Sequence, residues 1–515
     1  MPKPFRPTAA FRRAARRALV TAPAVLALAA FPGCTDLTET PVDALTPATT
    51  FRTPSEIQAG LTSVYAALRG PNWAYYNLNE VTTDAQVVPT RGSDWGDNGR
   101  WLELHRQGWT PNSGSALDDM NSAWGSAYTG IARANLVINA IRDNNVTGQD
   151  GVVAELRFLR AWYYYQLMDF FGGVPIVTTT DIQPRARATR AEVFAFVEKE
   201  LTEARAALPE TPAQPGRVTR WSADALLANL YLNAREFTGT PTPTGVTPGA
   251  PKWNEAITAA ERVINSGRFS LASNFLSVFA PDNDENPEHI FVTKHVAQAG
   301  LGMQVPMRAL HYNSVNPGAW NGWAATAETY NKFDAADARR SAILQGPQTS
   351  FVTGAPITER NGTPLNFTVN IGNVAAATEG EGTRVVKYRP AVVAPDGNHP
   401  NDLVWLRLGE MYMIRAEARF RLGNTAGALA DLNLLRARAF NPARPLTTLD
   451  ETTLLNERLF EFIGEGKRRQ DLVRFGRYTQ ATQFKPTASP PYKVLFPIPQ
   501  LQIQTNPLLT QNPGY

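Results

Sequence analysis

The chain has 515 residues and is poor in the residues that form cross-links and common metal sites. It contains one cysteine, which excludes an intramolecular disulfide and a zinc site built from cysteines. Its five histidines are scattered, and the His-Glu-x-x-His motif of zinc proteases is absent. The Gly-x-Ser-x-Gly turn of many hydrolases and the phosphate-binding glycine loop are absent too. The sequence therefore predicts no metal, no cofactor and no catalytic residue.

Most of the chain also lacks an excess of positive or negative charge. The sequence has 50 Lys+Arg and 46 Asp+Glu, a formal net charge of +4. Six of the cations and none of the acids lie in the first 33 residues: Lys3, Arg6, Arg12, Arg13, Arg16 and Arg17. The rest of the chain holds 44 cations against 46 acids, so its net charge gives no support for binding nucleic acid.

Long apolar runs are absent apart from one near the start. Residues 18–31 are almost wholly apolar and follow a cationic stretch, an order that is typical of a secretory signal peptide. The run is too short to span a bilayer comfortably. Gly33 precedes the single cysteine, Cys34, as in the lipobox of bacterial lipoproteins. We predict a signal peptide over 1–33, lipidation of Cys34 and a tether over 34–52; the alternative is a cleaved export signal that leaves a free thiol.

Apolar residues recur at helical spacing in eight segments of the remaining chain, and each segment turns one apolar face toward a core. Small residues and a short turn at 422–424 make the last two segments resemble a tetratricopeptide hairpin. A single hairpin leaves an apolar face bare, so several hairpins must stack. The sequence predicts a mainly α fold whose solenoid core consists of four tetratricopeptide-like helix pairs, at 57–142, 155–208, 223–266 and 407–440.

The segments between the helix pairs are polar and rich in turn residues. Residues 268–406 show only weak helical periodicity and short β-like runs, which predicts a large irregular, partly β insertion packed on the helices. Within this insertion Asp282, Asp284 and Asn286 have the spacing of calcium ligands. Pro287, however, lies where a calcium loop needs glycine, which favours a simple turn.

Two further clusters of residues are predicted to be structural. Trp162 to Tyr165 are four consecutive aromatic residues on a predicted helix, and consecutive helical residues point in all directions, so at least two of them are expected in the core. The charged residues between Glu457 and Arg474 are expected to form a salt-bridge network, with the glycines of that segment permitting a bend.

Several segments resemble the signatures of a known family. The sequence Glu-Leu-Arg-Phe-Leu-Arg-Ala-Trp-Tyr-Tyr at 155–164, followed by Phe-Gly-Gly-Val-Pro-Ile-Val at 171–177, resembles the central signature of the SusD/RagB family. Residues 455–515 resemble its C-terminal signature segment, which ends here in Gln-Asn-Pro-Gly-Tyr. On these segments, residues 53–515 are identified as a SusD-like domain.

The resemblance implies a lipid-anchored protein of the outer membrane that faces the cell surface. It also implies that the protein captures a nutrient, such as a glycan or oligosaccharide, and delivers it to a SusC-like TonB-dependent transporter without catalysis. Two alternatives stay open: a peptide- or protein-binding member of the same architecture, and an exported glycan hydrolase. A hydrolase of this kind needs two carboxylates about 5–10 Å apart, and the sequence points to no particular pair.

Aromatic residues on loops are the candidates for binding such a ligand. A sugar ring has apolar faces on which flat aromatic side chains stack, and hydroxyl groups that bind amides and other polar side chains. Aromatic residues on helix stripes are used by the core, whereas those on loops are available. We predict a site built from two loop clusters: Trp73, Tyr75, Tyr76, Trp95, Trp101, Tyr312, Trp320, Asn321 and Trp323. The alternative is that these residues pack the irregular layer onto the helices.

Overall fold

The structure is a computed structural model that describes residues 50–70 and 72–515. This part of the chain is mainly helical, which confirms the predicted fold class. Its α-helices are α1 (Pro54–Ala66), α2 (Asn72–Tyr76), α3 (Arg100–His105), α4 (Asp118–Asp143), α5 (Asp150–Phe171), α6 (Arg190–Ala207), α7 (Arg220–Leu232), α8 (Ala234–Phe237), α9 (Trp253–Ile264), α10 (Val305–Ala309), α11 (Ala327–Tyr330), α12 (Leu408–Arg421), α13 (Thr425–Ala437), α14 (Glu451–Phe462), α15 (Arg468–Arg474) and α16 (Gln500–Thr505).

Eight of these helices form the predicted stack of hairpins. Helix α1 packs on α4, α5 on α6, α7 on α9, and α12 on α13. Successive pairs also contact each other, because α4 packs on α5, α6 on α7, and α9 on α12. Capping boxes start two of the helices as the sequence predicts: the hydroxyl of Thr53 accepts the Glu56 N–H, and the hydroxyl of Thr189 accepts the Glu192 N–H.

Helix α5 lies at the centre of the apolar core. All four of its consecutive aromatic residues are buried: Trp162, Tyr163, Tyr164 and Tyr165. The prediction of a structural role for this run is therefore confirmed. Gly130 of α4 faces Tyr163, and a Cβ at this position would overlap the tyrosine ring, so the glycine lets α4 and α5 approach closely.

The strands are short and lie mostly in the insertion before α12. They are β1 (Gln86–Val87), β2 (Thr240–Thr242), β3 (Gly245–Thr247), β4 (His289–Thr293), β5 (Ala324–Ala325), β6 (Ile343–Leu344), β7 (Gly346–Pro347), β8 (Asn366–Phe367), β9 (Arg384–Val385) and β10 (Leu403–Arg407). They form two-stranded antiparallel ladders, namely β1 with β5, β2 with β3, β4 with β10, β6 with β9, and β7 with β8. The β4–β10 ladder closes the insertion against the core and leads directly into α12.

The charged residues around α14 and α15 form a buried network, which confirms the predicted salt bridges. Glu461 is fully buried, and its Oε1 accepts hydrogen bonds from Arg407 Nη1 at 2.9 Å and Arg438 Nη2 at 2.7 Å. Such a carboxylate is tolerated in the interior only when it is paired. Between the two helices, Gly464 and Gly466 adopt φ values of 74° and 71°, a turn that glycine makes without strain.

The start of the chain lies outside the described residues. The predicted signal peptide, Cys34 and the tether up to residue 49 all fall there, so these predictions stay predictions. In the part that the structure describes, none of the helices combines the length and the apolar character needed to cross a bilayer.

Candidate ligand-binding surface

The two aromatic loop clusters predicted from the sequence come together in space. Trp73 lies on α2, and its ring centroid is 6.0 Å from the ring centroids of both Trp320 and Trp323. Trp95 joins them because its indole N–H donates to the carbonyl oxygen of Trp320 at 2.6 Å. Trp73, Trp95 and Trp320 are partly exposed. We call these three residues the tryptophan platform.

A cation lies in the middle of the platform. The guanidinium carbon of Arg308, on α10, is 3.9 Å from the ring centroid of Trp73, 5.5 Å from Trp320 and 5.7 Å from Trp95. Cation–π attraction is strongest for tryptophan and increases when the cation is desolvated. Burial lowers the pKa of Arg308 to about 10, so the side chain still carries its charge at neutral pH.

The loops that carry the platform hold an unusual backbone conformation. Trp95 has a φ of 60° and Asn321 a φ of 53°, in the left-handed region that residues with a Cβ rarely adopt. The Trp95 ring lies against Gly322, where a Cβ would come within 2.5 Å of the indole. Backbone strain of this kind persists only when the surrounding contacts impose it, and it is enriched at ligand sites.

Five of the nine predicted site residues are buried beneath the platform: Tyr75, Tyr76, Trp101, Asn321 and Trp323. Tyr76 stacks on Trp323 with ring centroids 5.8 Å apart, and Trp101 packs edge-on against Trp95 at 5.3 Å. Neighbouring side chains cover these rings, so in this structure they support the platform and present no free face to solvent.

Tyr312 forms a polar edge beside the platform. Its hydroxyl donates to Asp94 Oδ2 at 2.5 Å, and the guanidinium carbon of Arg360 lies 4.2 Å from its ring centroid. Arg360 also pairs with Asp94 at 3.0 Å and with Glu379 at 2.5 Å. Burial, together with the hydrogen bond to Asp94, raises the pKa of Tyr312 above its ordinary value. This edge therefore offers paired charges and a neutral phenol.

A pocket of 200 Å³ opens next to Trp73. Its lining includes Arg69, His295 and Asn398. The Arg69 guanidinium donates to the carbonyl oxygen of Lys294 at 2.8 and 3.2 Å. Burial lowers the pKa of His295 to about 4, so this imidazole is neutral at pH 7. The pocket thus places polar groups beside an aromatic face, an arrangement typical of small-molecule sites.

Sequence reasoning missed the cations of this surface. Arg308, Arg360 and Arg69 lie outside the aromatic clusters, and a single arginine carries no periodic or spacing signal. The only available signal is that Arg308 lies a few residues before the second cluster. The structure brings it to the centre because the backbone N–H groups of 322 and 323 both donate to its carbonyl oxygen.

A separate cleft has a volume of 530 Å³ and is lined in part by Trp221 and Phe269. The Lys294 ammonium contacts the carboxylates of Asp284 and Asp402 there. One of the aspartates with calcium-like spacing is thus paired with a lysine, and the described residues contain no cluster of three acidic, histidine or cysteine side chains suited to a metal. We favour the tryptophan platform over this cleft as the candidate ligand site because several aromatic rings converge at the platform.

In the helical turn that follows α2, Glu80 is a buried carboxylate, and no cation of the described residues forms an ion pair with it. It accepts hydrogen bonds from the Gly466 N–H at 2.7 Å and from Gln86 Nε2 at 3.1 Å. Burial raises the pKa of Glu80 to about 7. A group whose pKa is raised in the folded protein favours folding when protonated, so stability falls as the pH rises from about 4.5 to about 7.

Replacing Glu80 by glutamine is expected to stabilise the protein by about 1–2 kcal/mol at pH 8 and to change little at pH 4.5. The amide keeps the acceptor for Gly466, and a flip of Gln86 supplies its unpaired Oε1 as an acceptor for the new N–H. Unfolding midpoints in guanidinium chloride at the two pH values measure the effect. A gain that is equal at both values would contradict the proposed titration.

Stacked helix pairs with an irregular layer that displays aromatic residues define a tetratricopeptide-like solenoid. The chain belongs to the SusD/RagB family, as its signature segments predict. Residues 40–232 match the model of a family described as starch-binding associating with outer membrane. Residues 287–515 match the model of the SusD family.

Individual relatives and solved structures agree with this membership. The starch-binding protein SusD of Bacteroides thetaiotaomicron is 27% identical over 501 residues, covering 85% of this chain and 85% of that protein. A SusD-like protein from Bacteroides fragilis superposes with a TM-score of 0.73 at 18% identity, over 93% of this chain and 100% of that one. Surface glycan-binding protein A of Bacteroides thetaiotaomicron, solved with laminarihexaose, superposes with a TM-score of 0.71 at 22% identity, over 90% of this chain and 100% of that one. The structural matches show that the fold is shared.

Proposed function

We propose that the protein is a lipid-anchored outer-membrane protein that captures a glycan or oligosaccharide at the cell surface and delivers it to a SusC-like TonB-dependent transporter. The observation that carries the proposal is the convergence of Trp73, Trp95 and Trp320 into one partly exposed surface. Flat rings on a supported layer match the apolar faces of sugar rings. Tyr312, the Arg308 guanidinium and the pocket beside Trp73 supply polar groups for hydroxyls.

Relatives support a saccharide ligand. The relative from Bacteroides thetaiotaomicron is named for binding starch, and surface glycan-binding protein A was solved with laminarihexaose. The family description links starch binding to the outer membrane. In the proposed site Trp73, Trp95, Trp320 and Tyr312 contact the ligand, while Tyr75, Tyr76, Trp101, Asn321 and Trp323 hold them in place.

We propose binding without catalysis. Two carboxylates beside the platform are engaged by other groups: Asp94 pairs with Arg360 and accepts from Tyr312, and Asp97 accepts the Trp101 indole N–H. A glycosidase needs one carboxyl group free to protonate the leaving oxygen and a second to act as nucleophile or base. This engagement favours a binding protein over a hydrolase.

A binding and turnover assay tests the proposal. The protein is titrated with neutral and acidic oligosaccharides and with peptide pools, and each bound saccharide is recovered and analysed for cleavage. We expect saccharide binding with the recovered ligand intact. Binding confined to peptides would favour the peptide-binding alternative, and shortened saccharides would favour the hydrolase.

A further inference from the structure

Arg308 is partly buried among tryptophan rings, and within residues 50–70 and 72–515 no protein group accepts a hydrogen bond from its N–H groups. Its Nε is buried and has no hydrogen-bond partner, and the described residues place no carboxylate oxygen within 4 Å of its nitrogens. The Trp73 ring stacks on the guanidinium at 3.9 Å, and the Trp320 ring centroid lies 5.5 Å from the guanidinium carbon. Guanidinium N–H groups point outward in the plane of the group. Stacking therefore leaves them available to an acceptor that the described part of the chain does not provide.

The acidic groups near Arg308 are already paired. Asp119 is buried; it forms an ion pair with Arg100 at 2.7 Å and accepts a hydrogen bond from Asn77 Nδ2 at 3.0 Å. Asp97 accepts the indole N–H of Trp101. Both carboxylates act on Arg308 only at longer range. No carboxylate in the described ranges therefore contacts and neutralises the positive charge at the centre of the platform.

A second guanidinium lies on the same side of the molecule. Arg69 lines the pocket beside Trp73, and it donates to the Lys294 carbonyl oxygen. Among the residues that the structure describes, no carboxylate pairs with it. Trp73 thus has an unpaired cation stacked on it and another in the adjacent pocket. Arg360 differs, because it already pairs with Asp94 and Glu379.

We propose that the ligand of the tryptophan platform is an acidic saccharide, whose carboxylate or sulfate group accepts hydrogen bonds from the guanidinium of Arg308 while a neighbouring sugar ring stacks on Trp320 or Trp95. The proposal names the ligand class of the function proposed above and rests on it. Arginine presents two parallel N–H groups that match the two oxygens of a carboxylate or a sulfate. The tryptophan rings have already desolvated and oriented the cation, so little rearrangement is needed to receive an anion.

Chemical neutralisation of the ligand gives the first test. A panel of polygalacturonate, alginate and a sulfated galactan is titrated by calorimetry, each beside its carboxyl-reduced or desulfated form, with starch and laminarihexaose as neutral members. We expect the tightest binder to be acidic and its neutralised form to bind about tenfold or more weakly. The preference should shrink between 50 and 500 mM NaCl, because salt screens the charges. If carboxyl reduction removes the affinity, the recognised group is a carboxylate. If desulfation removes it, the recognised group is a sulfate.

The outcomes separate this proposal from the function on which it rests. A neutral saccharide as the tightest binder, or neutralised forms within twofold of the acidic ones, would overturn the acidic ligand class and leave saccharide capture standing. An absence of binding to every member of the panel would overturn both.

Variants of Arg308, with a control variant, give the second test. In Arg308→Gln we expect the acidic and the neutralised ligand to bind with about equal affinity. The affinity for the neutralised ligand should change less than threefold from that of the wild type. Arg308→Lys should keep part of the preference, since it retains the charge but loses the paired N–H groups. Arg268→Gln is the control, because it removes an exposed cation from the separate 530 Å³ cleft, and it should retain the preference.

A purely structural role for Arg308 predicts a different pattern. Acidic and neutral forms would then weaken by the same factor in Arg308→Gln, and the near-ultraviolet signal of the tryptophans would change before any ligand is added. That result would overturn the proposal. If Arg308→Gln does not fold, Arg308→Lys and the wild-type comparison of acidic and neutralised ligands decide the question.

Discussion

Replacing Glu461 by glutamine is expected to lower the free energy of unfolding by about 3–5 kcal/mol. Glu461 is fully buried and accepts from Arg407 and Arg438, while Arg339 lies 3.5 Å from its second oxygen. The attraction of these guanidinium groups holds the pKa of Glu461 well below its usual range despite burial. The variant leaves several buried cations with one negative charge fewer, and that loss is the source of the destabilisation.

Guanidinium chloride unfolding at pH 7 measures this effect. Glu451 lies on the same helix but is exposed, so Glu451→Gln serves as the control and should cost at most about 1 kcal/mol. Because the pKa of Glu461 is lowered in the folded protein, its contribution is present above the unfolded value of about 4.3 and is lost as the pH falls toward the folded value. The difference between wild type and variant should therefore persist from pH 8 to pH 5 and shrink only in acid. Equal costs for the two variants would show that the network adds no net stability.

The helical half of the fold could be predicted because its signals are local. In α6, Val193, Val197, Leu201 and Ala204 fall on one face, all are buried, and Thr189 supplies a capping box. Each such helix specifies its own length and its buried side before any tertiary contact is known. The order of the helices then fixes the stack, since short connections favour neighbouring hairpins.

The irregular layer could not be predicted in the same detail. Strands β1 and β5 contain two residues each and lie more than 230 residues apart in the chain, so neither shows an alternating pattern. The arrangement of the tryptophan platform also depends on segments that are distant in the sequence. Trp73 and Tyr76 share one short helix, yet one is partly exposed and the other lies under Trp323. Composition indicated which aromatic residues to consider for the candidate site, whereas their exposure depends on contacts between distant loops.

Replacing both Trp95 and Trp320 by alanine is expected to weaken saccharide binding by about 100-fold or more, and Trp320→Ala alone by about 30-fold. Trp320 is a partly exposed ring of the platform, and Trp95 fixes the Trp320 backbone through its indole hydrogen bond. The two losses should not simply add, because Trp95→Ala also releases the segment that carries Trp320. Calorimetric titration with the tightest saccharide of the panel gives the affinities, and thermal unfolding confirms that the variants are folded.

Two further variants distinguish stacking from a general loss of structure. Trp221 is another partly exposed tryptophan, but it lines the separate 530 Å³ cleft, so Trp221→Ala should bind as wild type does. Gly322→Ala keeps every aromatic ring of the platform while its Cβ displaces Trp95, and it should therefore weaken binding without removing a ring. If the double tryptophan variant binds as tightly as wild type, the platform is not the site. If Trp221→Ala alone weakens binding, the 530 Å³ cleft is the site instead, and Trp221 is the ring that stacks on the sugar.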